Sequence, residues 1–200
     1  MKNMNRCFKL SILFLYLIGC SSVSDRKDKL NSFMEIPWGS SPEFAKEIMF
    51  KKDSVKFSQN ESNDTLLFFD GGQAFGEPVR FYGLHFTDGQ LYEGSINFHP
   101  PYFNEVLPTY LELKSTFIRQ YGKPNFEKET VDPSKNNKED LQDLSNGKGW
   151  MQANWHFPVS GSKLDNGLIL LLIKGSEISV SYVNADLGYA NILKRQSHKK

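Results

Sequence analysis

Cysteine is nearly absent. The 200-residue chain has two, Cys7 and Cys20, and none follows residue 20. The part beyond residue 20 therefore holds no disulfide, and its stability must come from an apolar core. A chain of this size can build one, since about 150 residues bury roughly 70% of the surface exposed on unfolding. An excess of charge of one sign is also missing, with 24 Lys and Arg against 23 Asp and Glu. That balance lacks the basic stripe of nucleic-acid binding, so no nucleic-acid partner is expected. No apolar run reaches the roughly 20 residues of a membrane-spanning helix. Motifs of catalysis are missing too. His85, His99, His156 and His198 form no HExxH or other metal-spaced pair, and there is no GxSxG or P-loop. Glu139, Asp140 and Asp143 lack the ligand spacing of a calcium loop and read as solvated charge. The expectation is a protein that is not an enzyme, with no cofactor and no metal site.

The start of the chain is more specific. Lys2, Arg6 and Lys9 surround or precede an apolar run, Leu10 to Ile18, in which Ser11 is the polar exception. That length matches the core of a secretory signal, about 7–15 residues. The run ends at Gly19 and Cys20. The segment LIGC, Leu17 to Cys20, resembles the lipobox of bacterial lipoproteins, and the resemblance covers residues 2–21. It implies that the Cys20 thiol receives a diacylglycerol, that cleavage makes Cys20 the first residue, and that its amine is acylated as well. Each buried CH₂ contributes about 0.8 kcal/mol and one chain anchors only marginally, so two or three chains are needed for stable attachment. Residues 1–19 then form the signal peptide. Three of the 24 basic residues leave with it, so 21 face the 23 acidic ones. Ser21 beside the anchor implies an outer-membrane address, facing periplasm or surface. Residues 20–32 are polar and aperiodic and read as a tether. A flexible chain of about 12 residues reaches near 20 Å. The basic end, KRQSHKK, reads as a solvated tail.

Residues 33–200 read as one α+β domain. A helix is expected to start at Ser40 or Ser41, with Pro42 in its first turn and Glu43 spaced for a capping box with Ser40. Phe44, Ala45, Ile48 and Met49 give it one apolar face. TLLFFD, Thr65 to Asp70, reads as a strand. Val79–Phe86 and Leu91–Phe98 flank Asp88-Gly89, a strong two-residue hairpin signal. Unbroken pairing opposes Phe86 to Leu91, His85 to Tyr92 and Phe81 to Ile96. It places Val79, Phe81, Gly83, His85, Tyr92, Gly94, Ile96 and Phe98 on the core face, where a helix or a large ring should fill the gap left by Gly83 and Gly94. A second helix spans Glu105–Tyr121, with an apolar stripe of Leu107, Tyr110, Leu111, Phe117, Ile118 and Tyr121, and YGKP ends it. Residues 125–149 read as a long polar connection opening on a strand extension. Trp150–Phe157 is a strand with Met151, Ala153, Trp155 and Phe157 on one face. Gly167–Lys174 and Glu177–Tyr182 form a hairpin about Gly175-Ser176, with Lys174 paired to Glu177. Residues 185–195 read as a final helix. The halves, 33–99 and 100–184, share this order, which suggests tandem αβββ units with helices on one face of an antiparallel sheet.

IPWGSSPEF, DGQLY and YGKP resemble the WGxS, DGxLY and YGxP motifs of a broad group of uncharacterised bacterial envelope proteins, over residues 34–183. More distantly, the αβββ order resembles the small outer-membrane assembly lipoproteins and the tandem β-lactamase-inhibitor-type fold. The resemblance implies a fold and an envelope address and carries over no catalytic residue. Candidate partner contacts are Trp150 and His156, out of phase with Trp155, and Leu168, Leu170 and Leu172 on the outer face of the last hairpin. The leading expectation is a membrane-anchored, non-enzymatic lipoprotein that binds a protein partner in assembly or inhibition. The alternative is a module binding a small ligand or lipid. A cell-wall hydrolase stands last, for want of a nucleophile or metal set. The sequence sets no oligomeric state.

Overall fold

The computed structural model describes residues 30–131, 138–157 and 166–189. The Cys20 anchor, the signal peptide, most of the tether and the basic tail lie outside these residues. Leu30 to Ser32, assigned above to the tether, are packed into the domain: Leu30 is buried and Ser32 pairs with Pro37.

The elements run β1 (Ser32–Phe33), β2 (Ile36–Pro37), α1 (Pro42–Met49), β3 (Val55–Phe57), β4 (Leu66–Gly71), β5 (Gln73–Ala74), β6 (Glu77–Pro78), β7 (Phe81–Thr87) and β8 (Gln90–Phe98). Then follow α2 (Phe103–Tyr121), β9 (Phe126–Glu129), α3 (Lys138–Ser145), β10 (Trp150–Phe157), β11 (Gly167–Lys174) and β12 (Glu177–Asn184). Residues 185–189 add one short helical turn, the part of the expected final helix that is described. Eight strands make one antiparallel sheet in the order β3-β4-β7-β8-β12-β11-β10-β9. The fold is thus α+β, with α1 and α2 on the same face. Each half brings four strands to the sheet rather than three, because β3 and β9 add short outer edges.

Local chemistry explains the helices. Ser41 is the cap of α1: its hydroxyl accepts from the Phe44 N–H at 3.3 Å, so Glu43 has no box to form with Ser40. Ala45 and Met49 are buried, while Phe44, expected inside, is exposed. In α2 the buried stripe is Val106, Thr109, Tyr110, Leu113 and Phe117, at spacings of three and four. Leu111 and Ile118 fall on its exposed flank. Gly122, at φ +81°, ends the helix and its N–H donates to the Ile118 carbonyl.

The first hairpin turns as expected. Asp88 and Gly89 both have positive φ, and Phe86 pairs with Leu91. A β-bulge then intervenes, and His85 pairs with Glu93, not Tyr92. From there every β7 residue changes face relative to the unbroken register. Phe81 opposes Asn97, Gly83 opposes Ser95, and Leu84 opposes Gly94. A slip of one residue exchanges the two sides of a strand, and an extra residue on one strand produces that slip. The outcome buries Tyr82 and Leu84 beside Phe86 and moves Phe81, Gly83 and His85 to the opposite face. The last hairpin keeps the expected register throughout, from Lys174 opposite Glu177 to Ile169 opposite Tyr182. The Glu177 carboxylate, however, ion-pairs with Arg80 at 3.0 Å.

The expected ring over a glycine gap is Phe33. It is fully buried, and a Cβ on Gly94 would collide with its ring. Phe33 also meets Tyr182 edge-on at 5.5 Å. Met34 and Glu35, the turn between β1 and β2, both carry positive φ. Non-glycine residues hold such a conformation when their surroundings impose it, and here Phe33 and Ile36 on either side are fully buried.

Gly94→Ala forces Phe33 out of place and should cost about 1–3 kcal/mol, the usual range for overpacking; a lowered urea midpoint with an unchanged slope checks it. A second prediction concerns alkaline pH. The buried Tyr82 hydroxyl donates to the Gln73 carbonyl at 3.0 Å, and burial pushes its pKa to about 12. An unfolded tyrosine titrates near pH 10. The stability from burying neutral Tyr82 is therefore complete below about pH 10 and is lost as pH rises toward 12. The urea midpoint should fall across that window, and less steeply in Tyr82→Phe.

Candidate functional site

The sheet has two unlike faces. On the helix side, Met151, Ala153, Trp155, Ile169, Leu171, Ile173, Ile178 and Val180 are all buried. The other side keeps contact with solvent from one edge to the other. Three rows cross it, each fixed by strand register. One holds Leu66, His85, Glu93, Val183, Leu168 and His156. The next holds Phe68, Gly83, Ser95, Ser181, Leu170, Asn154 and Phe126. The third holds Asp70, Phe81, Asn97, Ser179, Leu172, Gln152 and Lys128. Every residue of the three rows is partly or fully exposed except Gly83.

The residue types give this face a shape. The central strands β8 and β12 present small polar groups, Ser95, Asn97, Ser179 and Ser181. On one side stand Phe68 and Phe81, in edge contact at 5.5 Å. On the other stand Leu168, Leu170 and Leu172. From β7 to β11 is three strand steps, or about 14 Å at 4.8 Å each. A shallow polar trough thus runs between an aromatic ridge and an aliphatic ridge. Beyond the leucines lie amides: the Gln152 side chain donates to Asn154 Oδ1 at 3.0 Å. At the lower corner the Lys128 ammonium lies 5.3 Å from the centre of the Trp150 ring. The short 185–189 helix closes the opposite end, where Gly188 abuts the Tyr92 ring.

All five residues singled out from sequence, Trp150, His156, Leu168, Leu170 and Leu172, lie on this one face. The aromatic ridge and His85 were missed. Their displacement follows from the bulge at Tyr92, which periodicity does not reveal. A usable signal was present in SINF and SVSYV, where polar residues alternate with apolar ones on both central strands. Chemically the face offers hydroxyls, amides and apolar groups. The Ser95 hydroxyl is engaged with the Gly83 carbonyl at 3.4 Å. Among the described residues, no group of three or more His, Cys, Asp or Glu is placed to hold a metal ion, and no helix is long and apolar enough to cross a membrane.

Comparison with protein families, curated proteins and solved structures finds no match for this chain. What stands is a class: an α+β protein whose eight-stranded antiparallel sheet is buried on one face and open on the other.

The two faces separate by mutation. Leu171→Ala should cost about 2–5 kcal/mol, as for a buried leucine. Leu170→Ala, one residue away on the open face, should cost about 1 kcal/mol or less. Chemical denaturation of both variants checks the assignment.

Proposed function

We propose that this chain is a lipid-anchored envelope lipoprotein, without enzymatic activity, whose open sheet face binds a protein partner in assembly or inhibition. One observation carries the reading. A whole sheet face, with three leucines in line and two phenylalanines facing them, keeps its side chains partly exposed. Extended apolar surface left in water is uncommon unless something covers it. Hydroxyl and amide groups between the ridges supply the polar contacts that fix a partner's orientation. The membrane address rests on LIGC and its likeness to a lipobox, with attachment through lipid on Cys20. The tandem αβββ arrangement belongs to the same reading, with one short outer strand added to each unit. A helix precedes β3-β4-β7-β8, a helix precedes β9-β10-β11-β12, and the strand order mirrors itself about the β8–β12 pair. A second reading, a small-ligand module, is favoured by a cavity of about 560 Å³ on the helix side of the sheet, among the β1–β2 hairpin, the β5–β6 hairpin and the end of α2, with Ile96, Phe157 and Tyr182 in its lining.

The test uses the full chain in its host envelope. A photo-crosslinking amino acid at position 170 should give one discrete protein adduct. The same probe at position 112, on the exposed side of α2, should give none. Leu172→Lys should remove the adduct without lowering protein levels. Cys20→Ala should move the protein from the membrane pellet to the soluble fraction and remove the acyl mass. Equal adducts from positions 170 and 112 would refute the docking face, and a Cys20→Ala protein that still sediments would refute the anchor.

A further inference from the structure

The two sides of the open face stand in a simple relation. Counted outward from the central β8–β12 pair, β7 and β11 are each one strand away, and β4 and β10 each two. Register keeps the two sides in the same rows: Gly83 with Leu170, Phe81 with Leu172, and His85 with Leu168. A two-fold axis laid along the trough, parallel to the strands, exchanges the sides. It sets β11 of one copy over β7 of another, row by row. Two-fold dimers are the commonest soluble oligomers, and their interfaces join one patch to itself.

What the axis brings together is complementary. The β11 side is a raised line of three leucines. The β7 side is lower at its centre, because Gly83 has no side chain. The Phe68 ring leans over it, 3.6 Å from where a Cβ would stand. Leu170 of one copy therefore meets a ring laid across Gly83 of the other, not an opposing ridge. The next rows set Leu172 against Phe81 and Leu168 against His85, so each aliphatic chain faces an aromatic one, and each contact is made twice. In the trough Ser95 stands over Ser181, and Asn97 over Ser179. Hydroxyls and amides both donate and accept, so two copies of this floor satisfy one another through bridging water. The charged residues avoid the centre row. Asp70 and Lys128 end the third row. Glu93 lies in the first, beside its register partner His85, where the angle of about 30° between stacked sheets opens the contact to water.

The area is also sufficient. At the spacings of a sheet, seven strands and three rows cover about 700 Å² on each copy. A stable interface of standard size takes about 800 Å² per partner. We propose that the partner of the open face is a second copy of this chain, docked face to face about this two-fold axis. The inference rests on the open-face reading and names its partner.

The test co-expresses two full-length copies with different tags in the host envelope. A photo-crosslinking amino acid at position 170 of one copy should give an adduct of twice the chain's mass that carries both tags. The same probe at position 112 should give none. An adduct that lacks the second tag would overturn the self-association and leave the docking face standing, whereas no adduct from position 170 would sink both. A second measurement fixes the axis. The chain has no cysteine after residue 20, so an introduced thiol reports its own position, with the unsubstituted chain as blank. Phe81→Cys in one copy and Leu172→Cys in the other should be joined by a short bismaleimide. The yield should exceed that of Leu172→Cys with itself at least tenfold, because the axis holds the two Leu172 positions about three strand steps, or 14 Å, apart sideways. Equal yields from the two pairings would overturn the arrangement.

Discussion

Phe33 rests on the sheet at the one place where a central strand has no side chain. Gly94 lies on β8, and its register partners are Leu84 on one side and Tyr182 on the other. Any Cβ there would displace the Phe33 ring. The contact joins parts of the chain far apart in sequence. It seats the β1–β2 hairpin over the junction of the two four-strand groups, and it turns Phe33 edge-on to Tyr182. Tyr182 in turn meets Phe117 of α2 at 6.4 Å, and Phe117 meets Trp155 at 5.5 Å. Trp155 reaches back to the end of α2, its indole N–H donating to the Gly122 carbonyl at 2.9 Å. A run of aromatic contacts therefore links the first described residues to α2 and to β10. Without disulfides, this kind of shared burial has to hold the ends of the domain to its middle.

A sheet of eight strands also has to manage its two edges, since an unpaired strand is a template for aggregation. The solutions differ. β3 is three residues long, and the Lys46 ammonium lies over its Phe57 at 4.8 Å. β9 is longer and fully exposed, and its sequence FEKE puts charges along the edge. Lys114 of α2 contacts both Glu127 and Glu129 at 2.9 Å, tying that edge to the helix. Burial acts to lower the Lys114 pKa, but the two carboxylates outweigh it and the net shift is upward. For the binding proposed above, guarded edges favour docking onto the open face rather than addition of a strand.

How much of this was legible depends on whether the governing interaction is local. The β11–β12 hairpin was read to the residue because Gly175-Ser176 sets the turn and the apolar alternation sets the faces, and both say the same thing. Met151, Ala153, Trp155 and Phe157 were placed correctly for the same reason. The β7–β8 hairpin misled because turn and alternation disagree there. Asp88-Gly89 fixes Phe86 opposite Leu91, and unbroken pairing from there puts Phe81, Gly83 and His85 on the side of Ile96 and Phe98, yet Tyr82 and Leu84 are what the core takes. The resolution is a bulge, decided by packing against distant elements. The two small hairpins were missed because two-residue strands have no period to read. The same small hairpins form the walls of the cavity, so it was missed with them. The open face was half visible, as outward-pointing leucines without a covering element, and the aromatic half was hidden by the bulge.

The two candidate sites share one structural origin. A sheet covered by helices on one side has to leave its other side to solvent, and residues on alternate positions of the same strands serve both. On β12, Tyr182 belongs to the cavity wall while Ser181 and Val183 face outward. On β8, Ile96 is cavity floor and Ser95 and Asn97 line the trough. The central strands β8 and β12 are therefore shared by both surfaces, and a shift of their register would disturb both at once. That constraint accounts for the small residues at their centre. Gly94 makes room for Phe33 on one side, and the small Ser95 and Ser181 keep the trough open on the other. Larger residues at these positions would still suit a strand, but they would fill the spaces on which both surfaces depend.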